Sequence, residues 1–259
     1  DRLPWERFHV FLNAGHLIHL EKWVSAPAGE RSAVRLESGM VMQADVIPSS
    51  GHMRYWLVPM DVLDTIGVIV LHNEKGVEFP APAHREEELI WVLDGQLSYK
   101  HGPVINAGEA ILILPDRPHP GNYAGRLLVF WCNPFTDAGV EADAMNRVIN
   151  PERVVQSRIV REPDGSVVKV LAVTNNMSIC IVEAQAGTRL DGTAHPEKEI
   201  VYVLKGQIDY DDGRIIGVHE AGCNLPGIPH PGRYAGPGPV QYLAAKSPPD
   251  SRFGATRGV

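Results

Sequence analysis

The chain has few cysteines and no pairing pattern among them. Cys132, Cys180 and Cys223 are odd in number and form no CxxC pair. This argues against a disulfide framework or a thiolate zinc site and fits a reducing compartment. No apolar run approaches the length of a membrane span. There is no long basic run, and the formal net charge is -7, so we expect neither nucleic acid nor an anionic membrane as a partner. These absences predict a cytoplasmic protein.

The composition indicates a globular protein with many short strands. Charged residues make up 21% of the 259 residues and hydrophobic residues 44%, which excludes a disordered chain. This length allows two domains of ordinary size, each with its own core. The 25 glycines and 21 prolines are spread along the chain, as expected where turns join short strands.

One segment of the chain occurs twice. Residues 83–95 place a histidine and several carboxylates ahead of an apolar run that ends at a glycine, and residues 194–206 repeat this order. The equivalent residues are 111 positions apart: His84 and His195, Glu88 and Glu199, Gly95 and Gly206. Residues 118–125 and 229–236 repeat with the same offset. A period this long indicates two copies of a whole domain.

The repeat and the strand patterns around it predict the domain organisation. An alanine-rich, charged stretch between the copies has the composition of a short linking helix. The Pro-, Gly- and Arg-rich end of the chain is expected to be extended and loosely held. The predicted parts are an N-terminal adapter segment at 1–35, a first β domain at 36–136, a linker helix at 137–152, a second β domain at 153–246 and a C-terminal tail at 247–259.

The repeated histidines and glutamates have the spacing of metal ligands. Residues two apart in a strand face the same side, so His84, Glu86 and Glu88 are expected to point together. His119 follows a later strand and reaches the same interior if the sheet closes into a barrel. Two imidazoles and one carboxylate can hold a first-row metal and leave coordination positions open. The second copy repeats the set as His195, Glu197, Glu199 and His230.

These residues resemble the two motifs of the cupin superfamily. Gly76, His84, Glu88 and Gly95 match the first motif in frame, and Gly108 and His119 match the second. The second copy matches at Gly187, His195, Glu199, Gly206, Gly227 and His230, while His219 replaces the opening glycine of the second motif. The resemblance implies an all-β bicupin, that is, two tandem cupin (double-stranded β-helix, jelly-roll) barrels. It also implies a divalent metal, with Fe(II) favoured over Mn, Zn or Ni, and allows a homodimer.

The chain departs from the family pattern at two pairs of positions. Pro82 and Thr193 stand where the family has its first histidine. Each site is then a three-ligand set, or takes a fourth oxygen from Glu86 or Glu197, or has weakened or lost its metal binding. Tyr123 and Tyr234 replace the usual asparagine. A tyrosine there can hydrogen-bond a metal-bound ligand, act as an acid, or simply pack in the core. Two further tyrosines, Tyr99 and Tyr210, are interpreted as core residues.

Three functions are compatible with these residues. A set of two histidines and one glutamate resembles the iron centre of cupin dioxygenases, with Glu86 or Glu197 as base and Tyr123 or Tyr234 orienting a bound group. Similar sets serve metal-dependent isomerases, lyases and hydrolases of small carbonyl or sugar-acid substrates. A non-enzymatic, small-molecule-binding or storage-like bicupin is the third. A small-molecule substrate is expected in the first two.

Overall fold

The computed structural model describes residues 64–133 and 148–254, apart from the side chains of residues 74, 75 and 77. Ahead of residue 64 it describes the backbone of five strands. These are β1 (His9–Leu12), β2 (His16–His19), β3 (Ser32–Arg35), β4 (Val41–Ala44) and β5 (Met53–Val58). The predicted linker helix begins in residues 134–147, which lie outside the described residues.

The first barrel is built on long, bent strands. Its strands are β5, β6 (Ile66–Phe79), β7 (Glu87–Tyr99), β8 (Val104–Asn106), β9 (Ala110–Ile113) and β10 (Gly121–Cys132). They pair in the order β5-β6-β10-β7-β8, and β9 also pairs with β7. The ladders of β10 slip between Tyr123 and Gly125 and between Arg126 and Leu127. Such bulges bend a strand, so one strand serves both walls of the barrel.

The second barrel repeats this plan with shorter strands. It comprises β11 (Ile159–Arg161), β12 (Val167–Val173), β13 (Ser178–Ala184), β14 (Arg189–Leu190), β15 (Lys198–Lys205), β16 (Gln207–Tyr210), β17 (Ile215–Ile216), β18 (Ala221–Asn224), β19 (Gly232–Ala235) and β20 (Val240–Ser247). Strands β15 and β16 take the place of β7, and β19 and β20 take the place of β10. The chain is therefore all-β with two tandem jelly-roll barrels, as the sequence predicted.

The offset between the two barrels changes near their last strands. Strands β9 and β18 are 111 positions apart, as are Gly121 and Gly232 at the starts of β10 and β19. Leu128 lies opposite Trp91, whereas Leu243 lies opposite Tyr202. The offset there is 115, because the second barrel has four more residues in the turn that begins at Gly236. The repeat is thus continuous up to this turn and shifted after it.

The apolar runs in the central strands are buried on both faces. In β7, Ile90 and Val92 belong to the interior core of the first barrel, whereas Leu89 and Trp91 belong to a larger core shared with the second barrel. Strand β15 alternates in the same way, with Val201 and Val203 inside and Ile200 and Tyr202 in the shared core. A sheet covered on both faces has a continuous apolar sequence, so the barrels are joined along one wall of each.

The segment ahead of each barrel pairs with the other barrel. Strand β1 runs parallel to β18 of the second barrel, with Val10 opposite Ala221, and β2 pairs with β1. Ile149, which precedes the second barrel, forms a bridge with Ala110 of the first. Ala110 and Ala221 are equivalent positions in β9 and β18. These crossings add backbone hydrogen bonds to the apolar contact between the barrels.

The start of the C-terminal tail is packed against the second barrel. Strand β20 ends at Ser247, and a short helix α1 follows at Ser251–Gly254. Asp250 and Phe253 are buried, so the expectation of a loosely held tail is wrong as far as residue 254. Two single 3-10 turns lie at Pro151–Arg153 and Gln156–Arg158. Within the described part of the chain, no helix is long and apolar enough to cross a membrane.

Candidate metal centre

Each barrel brings two histidines and one glutamate together. His84, Glu88 and His119 form one group and His195, Glu199 and His230 the other, with one ligand atom of each residue within 4.8 Å of the others. In the first barrel, Nε2 of His84 is 3.5 Å from Glu88 Oε1 and Nε2 of His119 is 3.3 Å from Glu88 Oε2. In the second, Nε2 of His195 and of His230 lie 3.6 Å and 3.4 Å from Glu199 Oε2.

Two backbone hydrogen bonds join the loops that carry the histidines. His84 precedes β7 and His119 precedes β10. The amide of Asp116 donates to the carbonyl of His84 (2.7 Å), and the amide of His119 donates to the carbonyl of Ala81 (3.1 Å). The second barrel has the same two bonds at the equivalent positions: Gly227 to His195 (2.8 Å) and His230 to Gly192 (2.7 Å). The loops therefore bring the two histidines together in the same way in both copies.

The orientation of all four imidazoles suits metal binding. Each Nδ1 lies within hydrogen-bond distance of a nearby backbone carbonyl: His84 with Glu86 (3.1 Å), His119 with Arg117 (2.9 Å), His195 with Glu197 (3.0 Å) and His230 with Ile228 (3.2 Å). A proton on Nδ1 that is donated to a carbonyl leaves the lone pair on Nε2, facing the glutamate.

Two of the Nε2 atoms indicate whether a metal ion fits the triads. Nε2 of His84 and Nε2 of His195 are buried and have no hydrogen-bond partner among the described residues. A buried polar atom without a partner costs free energy, and a divalent ion bound to the lone pair removes that cost. The donor set of imidazole nitrogens and carboxylate oxygens suits Fe, Mn, Zn or Ni. The two triads therefore fit a metal ion.

Glu86 and Glu197 lie behind the histidines, away from the triads. Glu86 Oε2 is 3.5 Å from Nδ1 of His84, and Glu197 Oε2 is 3.3 Å from Nδ1 of His195. The expectation that Glu86 faces the same side as Glu88 is wrong, because β7 begins at Glu87 and the alternation of a strand does not extend to Glu86. Neither carboxylate belongs to the groups that could hold a metal. Each of these two carboxylates is placed to orient the imidazole of the histidine next to it.

The second triad has polar neighbours that sequence reasoning missed. Nδ2 of Asn224 donates to Glu199 Oε2 (2.7 Å), and Nζ of Lys246 lies 3.7 Å from Glu199 Oε1. Burial alone would raise the pKa of Glu199, but Lys246 and the two histidines hold it well below its usual value. In the first barrel the equivalent positions are Ile113 and Trp131, which lie opposite Glu88 in the sheet.

The pKa values of the second histidines of the two triads are shifted in opposite directions. Burial lowers the pKa of His119, but the carboxylate of Glu88 and the carbonyl of Arg117 outweigh this, so the pKa is raised. Burial also lowers the pKa of His230, and there the net pKa stays below its ordinary value despite Glu199, since His195 and Lys246 oppose protonation. A neutral imidazole and an ionised carboxylate are the forms that ligate. The surroundings of the second triad therefore favour the neutral form of His230 and the ionised form of Glu199.

A cavity of about 230 Å³ opens onto the second triad. Its inner lining includes Tyr210, Tyr242 and Lys246 beside the triad, and the tail contributes Asp250 and Arg252. Thr193, in the place of the family's first histidine, also lines it. The cavity is large enough for a small organic molecule next to the metal ligands.

The structure places the candidate tyrosines differently in the two barrels. Tyr123 is buried and its ring centroid is 5.9 Å from that of Phe79. Tyr234 lines the cavity, and its hydroxyl is 3.3 Å from that of Tyr242. Burial raises the pKa of Tyr234 to about 12, although Tyr242 opposes the shift. Both phenols are therefore neutral at ordinary pH.

A second pair of tyrosines lies closer to the triads than the sequence suggested. The ring of Tyr99 is 6.1 Å from that of His119, and the ring of Tyr210 is 6.3 Å from that of His230. The hydroxyl of Tyr99 is buried without a hydrogen-bond partner among the described residues, and that of Tyr210 is 3.5 Å from Nδ2 of Asn224. The recurrence of these two tyrosines 111 positions apart is the signal in the sequence that could have identified them as neighbours of the triads.

Comparison with known proteins supports the fold alone. No protein-family model matches the chain, and no curated protein matches it. Its structure is similar to that of a putative glyoxylate-induced protein from Pseudomonas aeruginosa, with a TM-score of 0.65 and 16% identity over 76% of this chain and 80% of that one. It is also similar to the protein Ylba from E. coli, with a TM-score of 0.59 and 13% identity over 86% and 92% of the two chains.

A third similar structure is an oxalate decarboxylase from Lactobacillus farciminis in complex with formate. The TM-score is 0.55 and the identity 15%, over 76% of this chain and 82% of that one. At such identities the likeness concerns the fold and not the activity. The chain has the fold of two tandem cupin barrels, each with a group of residues that could hold a metal.

Proposed function

We propose that the protein is a metal-dependent enzyme that acts on a small organic substrate, as a dioxygenase-type oxidoreductase with Fe(II). The observation that supports this most is the pair of triads in which Nε2 lone pairs and one carboxylate converge. Two histidines and one carboxylate with open positions are typical of non-haem Fe(II) oxygenases. Pro82 and Thr193 in the place of a further histidine leave an additional open position in each barrel.

When bound by this set, Fe(II) would supply redox chemistry with dioxygen and open coordination positions for the substrate. The chain's own residues do the remaining work. His195, His230 and Glu199 would hold the ion in the second barrel, and Asn224 fixes the orientation of Glu199. Glu197 orients His195 from behind. The hydroxyls of Tyr210 and Tyr234 are neutral donors that can hydrogen-bond a substrate in the cavity.

A metal-dependent lyase, isomerase or hydrolase is the second candidate. Lys246 favours it, because a buried ammonium near the metal ligands stabilises an enolate or carboxylate without any redox step. One protein with a similar fold is an oxalate decarboxylase, and a decarboxylase is a lyase. A non-enzymatic bicupin remains the third candidate. Metal content and substrate conversion distinguish it from the two enzyme candidates.

Metal content tests the proposal first. The purified chain, loaded under anaerobic conditions with Fe(II), Mn(II) or Zn(II), is expected to hold two ions by elemental analysis. His119→Ala and His230→Ala should each hold one, and the double variant none. Glu152→Ala is a control, since this exposed carboxylate belongs to neither triad and does not line the cavity. A wild-type chain without stoichiometric metal would contradict both enzyme candidates.

Oxygen uptake then separates the two enzyme candidates. The Fe(II)-loaded chain is tested with a panel of catechols, hydroxy acids and diketones, with the double variant as control. Substrate-dependent oxygen uptake that the double variant lacks supports the dioxygenase. Conversion of a substrate without oxygen uptake supports the lyase, isomerase or hydrolase.

A further inference from the structure

The residue opposite the glutamate ligand differs in kind between the two barrels. Trp131 of β10 lies opposite Glu88 of β7, and Lys246 of β20 lies opposite Glu199 of β15. The two positions are equivalent once the four additional residues of the second barrel are counted. The same place in the fold therefore carries an indole in one barrel and an ammonium in the other.

In the first barrel this place is filled by an aromatic ring. The ring centroid of Trp131 is 5.3 Å from that of His84, with the planes tilted by 35°. Ile113 is the other cross-strand neighbour of Glu88. Neither side chain carries a charge. The first triad can hold a metal, but among the described residues neither cross-strand neighbour of Glu88 supplies a positive charge to bind an organic acid next to it.

In the second barrel Lys246 brings a positive charge to the floor of the cavity. Its side chain is 12% exposed, and its Nζ is 3.2 Å from Asp250 Oδ2 and 3.7 Å from Glu199 Oε1. An ammonium has three donors, so one donor is available to a ligand. Asp250 is also paired with Arg252. With a divalent ion on the triad, the floor carries more positive than negative charge.

The mouth of the same cavity is acidic. Glu162, Asp164 and Asp191 line the cavity and are partly or fully exposed. Glu162 is paired with Arg252 (2.8 Å), and the side chain of Asp164 accepts a hydrogen bond from the amide of Ser166 (2.8 Å). Asp191 is exposed. A ligand whose inner end is an anion would thus have its outer end among carboxylates, where a second negative charge is repelled.

We propose that the second barrel alone is the substrate site, and that it takes a small monocarboxylate whose outer end is neutral or cationic. The carboxylate lies between the metal and the ammonium of Lys246, and the outer end faces Asp164 and Asp191. This assignment rests on the proposed function, because the metal supplies part of the positive charge. It adds the class of substrate and a division of labour between the barrels.

Calorimetric titration of the zinc-loaded chain tests the assignment without turnover, since zinc is not redox-active. Glycolate, a small hydroxy acid, is expected to bind once per chain. Of two ligands of similar length, 4-aminobutyrate is expected to bind at least tenfold more tightly than succinate, because only succinate places a carboxylate at the mouth. Zinc content is measured on the same samples.

Substitution of the lysine tests its role. Lys246→Met is expected to weaken glycolate binding about ten- to hundredfold, which corresponds to the loss of one charge-assisted hydrogen bond. The double variant Lys246→Met/Asp250→Asn removes a charge of each sign, so that the carboxylate of Asp250 is not left without its ammonium partner. Lys169→Met is the matched control, because Lys169 is also a largely buried lysine paired with a carboxylate, Glu183, at 3.0 Å, and lies outside the cavity lining.

Each other outcome overturns a defined claim. Two glycolate ions per chain, unchanged affinity in both Lys246 variants, or tighter binding of succinate would overturn the assignment and leave the metal centre intact. The same holds for a chain that has two zinc ions and binds no glycolate. A chain that takes up no zinc would overturn the proposed function and this assignment with it.

Discussion

The carboxylate of Glu87 in the first barrel accepts a 2.6 Å hydrogen bond from the hydroxyl of Thr174 in the second. Nδ2 of Asn176 donates to the other oxygen, also at 2.6 Å. Burial raises the pKa of Glu87, and the two hydrogen bonds offset part of that shift. Glu87 is next to the ligand Glu88 but faces the opposite side of β7. The candidate metal centre and the contact between the barrels are therefore built on adjacent residues of one strand.

We expect Thr174→Val to lower the free energy of unfolding by about 2–3 kcal/mol, because it leaves a fully buried carboxylate with one partner fewer. The hydroxyl of Thr174 also accepts from the amides of Asn176 and Met177 (both 3.0 Å), which lose their partner as well. Denaturation of the metal-free chain measures the change. Thr174→Ser retains the hydroxyl and should remain within about 1 kcal/mol of the wild type. Equal effects of the two substitutions would contradict this account.

We expect Glu197→Ala to weaken metal binding in the second barrel by about 10- to 100-fold, because loss of a group that orients a histidine ligand has this effect. Glu86→Ala should have a smaller effect in the first barrel, since Glu86 is 31% exposed and Glu197 is 7% exposed. Competition with a metal indicator gives both affinities. Complete loss of the ion in either variant would instead identify the carboxylate as a direct ligand.

Asp250 should stabilise the packed tail in a pH-dependent way. Burial raises the pKa of Asp250, but Arg252 and Lys246 outweigh burial. The net result is a pKa lowered from its ordinary value of 3.8 to about 2. A carboxylate whose pKa is lower in the folded state than in the unfolded state stabilises the fold at pH values above its pKa in the unfolded state. This stabilisation is lost as the pH falls through its pKa in the folded state. Asp250→Asn should therefore cost about 2 kcal/mol at pH 7 and about 1 kcal/mol at pH 3.

Unfolding of the wild type and of Asp250→Asn, followed at both pH values, checks the sign. Asp211→Asn is a suitable control because Asp211 pairs with Arg189 at the surface, where such pairs contribute little. A difference between the wild type and Asp250→Asn that grows as the pH falls would contradict the expected linkage.

Removal of metal should destabilise the wild-type chain. An ion at 100 times its dissociation constant stabilises the folded state by about 2.7 kcal/mol per site. Addition of a chelator should therefore lower the melting temperature of the wild type and leave that of the His119→Ala/His230→Ala double variant unchanged. A wild type insensitive to chelation after loading would favour the non-enzymatic bicupin.

Both triads could be predicted from the sequence because their residues repeat in register. His84, Glu88 and His119 recur with one constant offset, and two barrels that diverged elsewhere have no structural need for the same three polar residues. The all-β fold followed from the same repeat and the turn-rich composition. The structure adds the orientation of each imidazole, which depends on carbonyls that no residue pattern reveals.

The polar surroundings of the second triad could not be predicted in the same way. Lys246 and Asn224 are equivalent to Trp131 and Ile113, so a comparison of the two copies gives no common signal. The change of offset after Gly236 further separates Lys246 from its counterpart. The sequence also did not reveal which face of β7 carries Leu89 and which carries Ile90, because both faces of the strand are buried and the run is apolar throughout.

The parallel pairing of β1 with β18 has a consequence for the order of events during synthesis. Val10 leaves the ribosome more than two hundred residues before Ala221, its partner in the sheet. The first strand must therefore remain unpaired at this edge until β18 has been synthesised. A nascent chain released early would retain an open strand edge on β1, which is a surface to which chaperones or other unfinished copies can bind.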